Sequence, residues 1–210
     1  MKKIVAIAII GIAIYYFKPG FFFSSKDGAF DADGNPQAWV FTYNGCGKPC
    51  DAAVDTLNRR IEYTEFDISE KSGKQRLKDI GGGNQFPLTV IGHRMVVGSD
   101  SMQIISTLAE VIGTNALTSL EQSVMQGHFY EDDTPAVVMY GASWCGYCKQ
   151  MRKYFNENDI QYFELDAEGS AKNKYTILRG SGFPLIYIGY RRINGANIDL
   201  VAKTIKELNI

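Results

Sequence analysis

The sequence predicts an α/β protein made of two tandem domains of one design behind an N-terminal hydrophobic helix, and three observations carry that prediction. A strand, helix, strand, helix, strand, strand, helix order can be traced twice along the chain. Each tracing holds its own cysteine pair, Cys46/Cys50 and Cys145/Cys148, and these are the only cysteines among the 210 residues. Each also holds a Phe-Pro-Leu and, further on, a Gly followed by polar residues. Cys46 lies 41 positions before Pro87 and Cys145 lies 39 before Pro184, while each proline stands 11 before its glycine, Gly98 or Gly195. Landmarks matched this closely point to a duplication, and copies of about 75 residues fit two small domains rather than one large one.

At the N-terminus, Met1-Lys2-Lys3 precedes an unbroken apolar run from Ile4 to Phe17, and Lys18-Pro19-Gly20-Phe21-Phe22-Phe23 follows. A run of 14 residues suits an export signal, whereas a spanning helix wants roughly 20. The one clean small-x-small triplet, Gly11-Ile12-Ala13, lies inside the run, where it is a poor cleavage site. With Lys18 snorkelling, Ile4 to Phe23 approaches membrane thickness. The expectation is a membrane anchor over 1–23, with a cleaved signal as the alternative. Flanking lysines favour an N-terminus held inside, which places the domains on the extracytoplasmic, periplasmic side. Residues 24–36, rich in Gly, Asp, Ser and Ala, read as a linker.

The first domain is expected over 37–113, opening with the apolar strand Trp39 to Tyr43 and closing with a helix marked by Ile104, Leu108 and Val111. Leu117, Leu120 and Val124 have helical spacing, so the connection 114–134 should hold a short packed helix before the polar joint Glu131-Asp132-Asp133. The second domain, 135–210, opens with a strand at Ala136 to Tyr140. Cys148, Met151, Tyr154 and Phe155 then recur at helical spacing, which puts the second cysteine pair at a helix start. Ile160 to Leu165 alternates as a strand, Ala171 to Arg179 is helical, and Leu185 to Ile188 and Arg191 to Ile193 form a hairpin across Gly189-Tyr190. Ile198, Val201, Ile205 and Leu208 mark the closing amphipathic helix. A right-handed crossover makes the first two strands of each domain parallel.

Composition excludes one class of partner. Lys and Arg number 22 against 23 Asp and Glu, with no basic stripe, so nothing favours nucleic acid. His93 and His128 lack a partner in the sequence and read as surface residues.

Cysteine chemistry carries the functional expectation. A thiolate is the nucleophile in disulfide exchange, and a helix N-terminus favours negative charge through its unpaired N–H groups and dipole. Cys145 is placed there. Cys148, one turn on, shares its helix face and can attack a mixed disulfide on Cys145, so Cys145 is the expected nucleophile and Cys148 the resolving thiol. Lys149 and Arg152 add positive charge nearby, as solvated side chains. Cys46 and Cys50, four apart, would also share a helix face at a bridgeable distance, as a second redox site or as a staple of an exported domain. A shared four-cysteine zinc site is the metal alternative; it leaves Phe-Pro-Leu unexplained, and no metal is expected. Pro87 and Pro184 each open a strand, and the sequence does not show their isomer.

These residues resemble the thioredoxin superfamily, glutaredoxins in particular. Cys145-Gly146-Tyr147-Cys148 at a strand-to-helix turn, Phe183-Pro184 and Gly195-x-Asn197 look like a glutaredoxin active site, its cis-proline, and the turn that holds the γ-glutamyl end of glutathione. The resemblance covers about 135–210, and more weakly 37–113. It implies a four-stranded mixed sheet flanked by three helices in each domain, and reversible exchange with protein thiols and disulfides or with glutathione as co-substrate, with no bound cofactor. It also implies a substrate surface of Phe183, Pro184, Gly195, Ala196 and Asn197 beside Trp144 and Tyr147. The matching positions in the first copy are Phe86, Pro87, Gly98, Ser99 and Asp100. Trp144 is more like thioredoxins, and no basic residue precedes either cysteine motif to pair with a glutathione carboxylate. The alternative is a non-catalytic binding module whose cysteines are structural disulfides.

Overall fold

The computed structural model describes residues 28–210, so the anchor expected over 1–23 lies outside the described residues. Among the described residues no helix is long and apolar enough to cross a membrane.

The first half contains β1 (Ala38–Thr42), α1 (Lys48–Asn58), β2 (Thr64–Asp67), α2 (Lys71–Asp79), β3 (Leu88–Ile91), β4 (Arg94–Val97) and α3 (Ser101–Val111). A 3-10 turn, Thr114–Ala116, and α4 (Ser119–Gln126) lead to the second half. There β5 (Val137–Gly141), α5 (Gly146–Glu157), β6 (Phe163–Asp166), α6 (Lys172–Ile177), β7 (Leu185–Ile188), β8 (Arg191–Asn194) and α7 (Ile198–Leu208) repeat the order. Each half builds one four-stranded mixed sheet, ordered β2-β1-β3-β4 and β6-β5-β7-β8. The first two strands of each run parallel, Val40 beside Glu65 and Met139 beside Glu164, and the last two form antiparallel hairpins.

The central strands are apolar on both faces because both faces are covered, as parallel-type sheets require. In the second half Val137, Met139, Ile186 and Ile188 face α5 and α7 through Met151, Phe155 and Val201. On the opposite face Val138, Tyr140, Leu185 and Tyr187 meet Leu178, Val124 and Met125. Met102 and Ile105 of α3 join that second cluster, while Ile104 and Leu108 of the same helix pack in the core of the first half. The closing helix of the first half is thus a layer shared with the second, and the two cores meet through it.

Several local expectations change. Residues 28–37 are not an open tether: Ala29 pairs with Gly92 and Phe30 with Pro36 around a turn in which the Asp31 carboxylate accepts the Asp33 and Asn35 N–H groups. Phe129 and Pro135 bridge in the same way, so the polar joint at 131–133 is the counterpart of that turn. The structural likeness of the two halves therefore begins before the first strand. Gly92 and Gly189 make it possible. Both have positive φ, and a Cβ would meet Val111 and Pro36 in one and Pro135 and Phe129 in the other.

The short helix before the second half is present, capped by a reciprocal Thr118/Glu121 box. Its packed face carries Val124 and Met125, however, and Leu120 is exposed. His128 is not a surface residue. It is fully buried, stacked on Tyr187 with its Nε2 2.9 Å from the Tyr140 hydroxyl, and burial holds its pKa down at about 3. His93 is exposed and lies against Phe30.

Candidate functional site

Strand β5 ends at Gly141, and a turn closed by the Cys145 N–H to the Ala142 carbonyl delivers Cys145 to the N-cap of α5. No Ser, Thr, Asp or Asn occupies that position. The Cys145 sulfur itself accepts the Cys148 N–H, at 3.1 Å, as an N-cap side chain does. Cys145 and Cys148 are free thiols. Cys148 is completely buried, and burial first, then its contact with Cys145, pushes its pKa up to about 11.

Of the expected substrate surface, Trp144, Tyr147 and Phe183 line one groove with Cys145, and Pro184, Gly195, Ala196 and Asn197 do not line it. Trp144, Tyr147, Gln150, Gly182 and Phe183 surround Cys145 in this groove of about 650 Å³ without a charged lining residue. Trp144 and Tyr147 stand out into solvent, 70% and 67% exposed, in a fold that buries most of its large apolar side chains. Glu168 accepts the Trp144 indole N–H at 2.7 Å, and Phe183 lies edge-on to the same ring. Pro184 is buried behind Phe183, and the Phe183-Pro184 bond is cis, as is Phe86-Pro87. Ala196 packs on the cluster that contains Cys145, Gly195 has the positive φ its turn needs, and Asn197 caps α7 by accepting the Leu200 N–H.

The matching residues of the first half are used differently. Cys46 and Cys50 are joined in a disulfide with Cα atoms 5.7 Å apart. They do not share a helix face, because α1 starts at Lys48, after Gly47 with φ 63° and with Pro49 in its first turn. A disulfide removes both sulfurs as thiolate ligands, so the four-cysteine zinc arrangement does not fit. Phe86 lies edge-on to Tyr43, with Pro87 buried beside it.

Asp100 is no open ligand corner. One carboxylate oxygen caps α3 through the Met102 and Gln103 N–H groups, and the other accepts from Arg192 Nε and Asn194 Nδ2, both at 3.2 Å. Arg192 is buried and also donates to the Leu178 carbonyl and the Tyr187 hydroxyl. Ser99 lines a cleft of about 590 Å³ with Arg59, Arg60 and Arg179, beside Ser101, which accepts from Arg179. Arg60 is committed there to Glu121 in a two-pronged pair. Burial would raise the Glu121 pKa, but Arg60 and Thr118 hold it below its ordinary value.

Sequence reasoning passed over Glu164 and Glu168 and treated Arg152 as solvated. Arg152 Nε instead donates to both Glu164 oxygens, at 3.0 and 2.8 Å, and its Nη2 donates to the Ala142 carbonyl at 3.1 Å. The parallel β5/β6 register was the available signal: it sets Glu164 beside Met139 and Asp166 beside Gly141, next to the cysteine turn.

The second half carries a free cysteine pair at the start of a helix, on a mixed four-stranded sheet whose β7 follows a cis-proline, and the family match at 137–193 supports a thioredoxin-like, thiol-oxidoreductase type of fold for it. The glutaredoxin family model matches residues 137–193, from β5 through β8. Among solved structures, the chain is similar to a buckwheat glutaredoxin crystallised in complex with glutathione, at 17% identity and a TM-score of 0.31 over 44% of this chain and 91% of that one. No curated protein matches the chain.

Proposed function

We propose that the protein is a thiol–disulfide oxidoreductase whose working site is Cys145/Cys148, tethered to or exported across a membrane by its N-terminal segment. The observation that carries the activity is the free Cys145 sulfur at the N-cap of α5, 3.1 Å from the Cys148 N–H and lining an apolar groove. Negative charge forming on that sulfur meets the N–H groups and positive dipole end of the helix. The Cys145 thiolate attacks a disulfide and releases one thiol. Cys148 then attacks Cys145 Sγ, leaving a Cys145–Cys148 disulfide and a second released thiol. Its partners are protein disulfides or glutathione mixed disulfides, held across Trp144, Tyr147 and Phe183. The extracytoplasmic assignment rests on the basic start and the apolar run Ile4 to Phe17.

For the first half we propose a stapled structural domain, on the observation that Cys46 and Cys50 are bonded while Cys145 and Cys148 are not. Cys145→Ser should abolish exchange with small reporter disulfides, and Cys148→Ala should accumulate mixed disulfides on Cys145 in cells. Full activity in the serine variant would sink the assignment.

A further inference from the structure

A cleft at the seam between the halves, lined by no cysteine, holds positive charge that its own surroundings do not neutralise. Its volume of about 590 Å³ falls in the range of small-molecule sites. Arg59 and Arg60 line it from the end of α1, and Arg179 lines it from the second half. The three are not equivalent. Arg60 is largely buried and committed to Glu121, which it grips through both oxygens at 2.6 and 3.0 Å. Arg59 makes no side-chain hydrogen bond or ion pair among the described residues. Arg179 donates to the neutral Ser101 hydroxyl, and the carboxylate oxygen it approaches, Glu121 Oε1 at 3.9 Å, is already held by Arg60. Asp55 is the acidic residue of the lining, so Arg59 and Arg179 together leave positive charge over.

Arg179 is held there against backbone preference. It follows Leu178, the C-cap of α6, with φ 51°, whereas the residue after Ile80, the matching C-cap of α2, is Gly81 with φ 67°. Glycine takes that conformation freely, and a side chain raises its energy. The Arg179 carbonyl accepts from Arg192 Nη2 at 3.3 Å, while its half-exposed side chain extends to Ser101. Ile105, Ala116 and Leu117 give the same cleft an apolar surface.

We propose that this seam cleft binds a small organic phosphate, with the dianionic head held by Arg59 and Arg179 and the apolar body against Ile105, Ala116 and Leu117. Two guanidinium forks match phosphate oxygens, and the Ser101 hydroxyl, which accepts from Arg179, keeps its own proton to donate to another. A dianion neutralises both free arginines, whereas a monocarboxylate neutralises one. The site is independent of the thiol-exchange reading, because none of its lining residues borders the Cys145 groove.

The test titrates the full chain with phenyl phosphate at about pH 8, where the phosphate is doubly charged, by calorimetry and by the rise in thermal midpoint. One-to-one saturation is expected, and benzoate, the same ring with one charge, should bind at least about tenfold more weakly. Arg179→Gly installs the residue of the first half at a backbone that suits it, and should weaken phenyl phosphate binding at least about tenfold. Arg59→Gln, which breaks no bond within the fold, carries the same expectation, so its loss of affinity is not a loss of folding. No saturation of the native protein up to about 10 mM would overturn the proposal, as would unchanged affinity in either variant. Equal binding of benzoate would overturn the assignment to phosphate.

Discussion

Helices α3 and α7 close their halves in the same place, have 11 residues each, and are capped at matched positions by Asp100 and Asn197. Their surroundings are opposite. In α7 only Val201 and Thr204 are buried; in α3 seven residues from Met102 to Ala109 are, because Met102 and Ile105 enter the core of the second half while Ile104 and Leu108 serve the first. The caps diverge with the helices. Asn197 caps and does little else, whereas Asp100 also receives the buried Arg192. The two halves have equivalent corners, and packing engages the first through Arg192 and Asn194 of the second half. The half capped by Asn197 also keeps the free cysteine pair.

The contrast can be broken at the seam. Asp100→Ala removes a helix cap and leaves the Arg192 guanidinium without a carboxylate, so a loss of about 3 kcal/mol is expected in denaturant unfolding, of which about 1 kcal/mol belongs to the cap. Asp100→Asn, which keeps a capping oxygen, separates the two contributions. A loss no larger than that of a cap would show that the ion pair does not couple the halves.

A smaller effect distinguishes the cysteine pairs. Replacing Cys46 and Cys50 by serine should cost about 2 kcal/mol, the loop-closure entropy of so short a ring, while exchange at Cys145 persists. Loss of exchange with no loss of stability would instead make the first pair a working redox site.

The smallest effect concerns His128, whose matching position in the first half is the buried Ala29. Its folded pKa of about 3 lies below the ordinary value of 6.5, so its contribution to stability is complete above about pH 6.5 and declines as pH falls towards 3, when the unfolded state takes up the proton first. About 1 kcal/mol should disappear between about pH 7 and 5.5. His128→Phe should flatten that part of the pH profile, and an unchanged slope would assign the acid sensitivity to other groups.

Much of this was legible because it is local. Leu185 to Ile188 is a run of four apolar residues ended by Gly189, and it is strand β7; Ile198, Val201, Ile205 and Leu208 trace one stripe, and it is α7. Cys145 could be set at a helix start from the spacing of Cys148, Met151 and Phe155 alone. Leu120 shares the spacing of Leu117 and Val124 yet faces solvent, since periodicity defines a stripe only after a neighbouring layer chooses which side to cover. The turn at 28–37 was illegible for a related reason: its polar residues bond to one another, and its anchor, Gly92, lies far along the chain.

By itself the sequence determined the repeated order of elements and the two close-set cysteine pairs, because both follow from periodicity and residue type over short spans. Only the tertiary structure decided which half keeps a free cysteine pair. Asp100 meets Arg192 across 92 positions, and Arg152 meets Glu164 through the β5/β6 register. The reactivity of a carboxylate or a thiol is set by what covers and faces it, and that is fixed when distant segments pack.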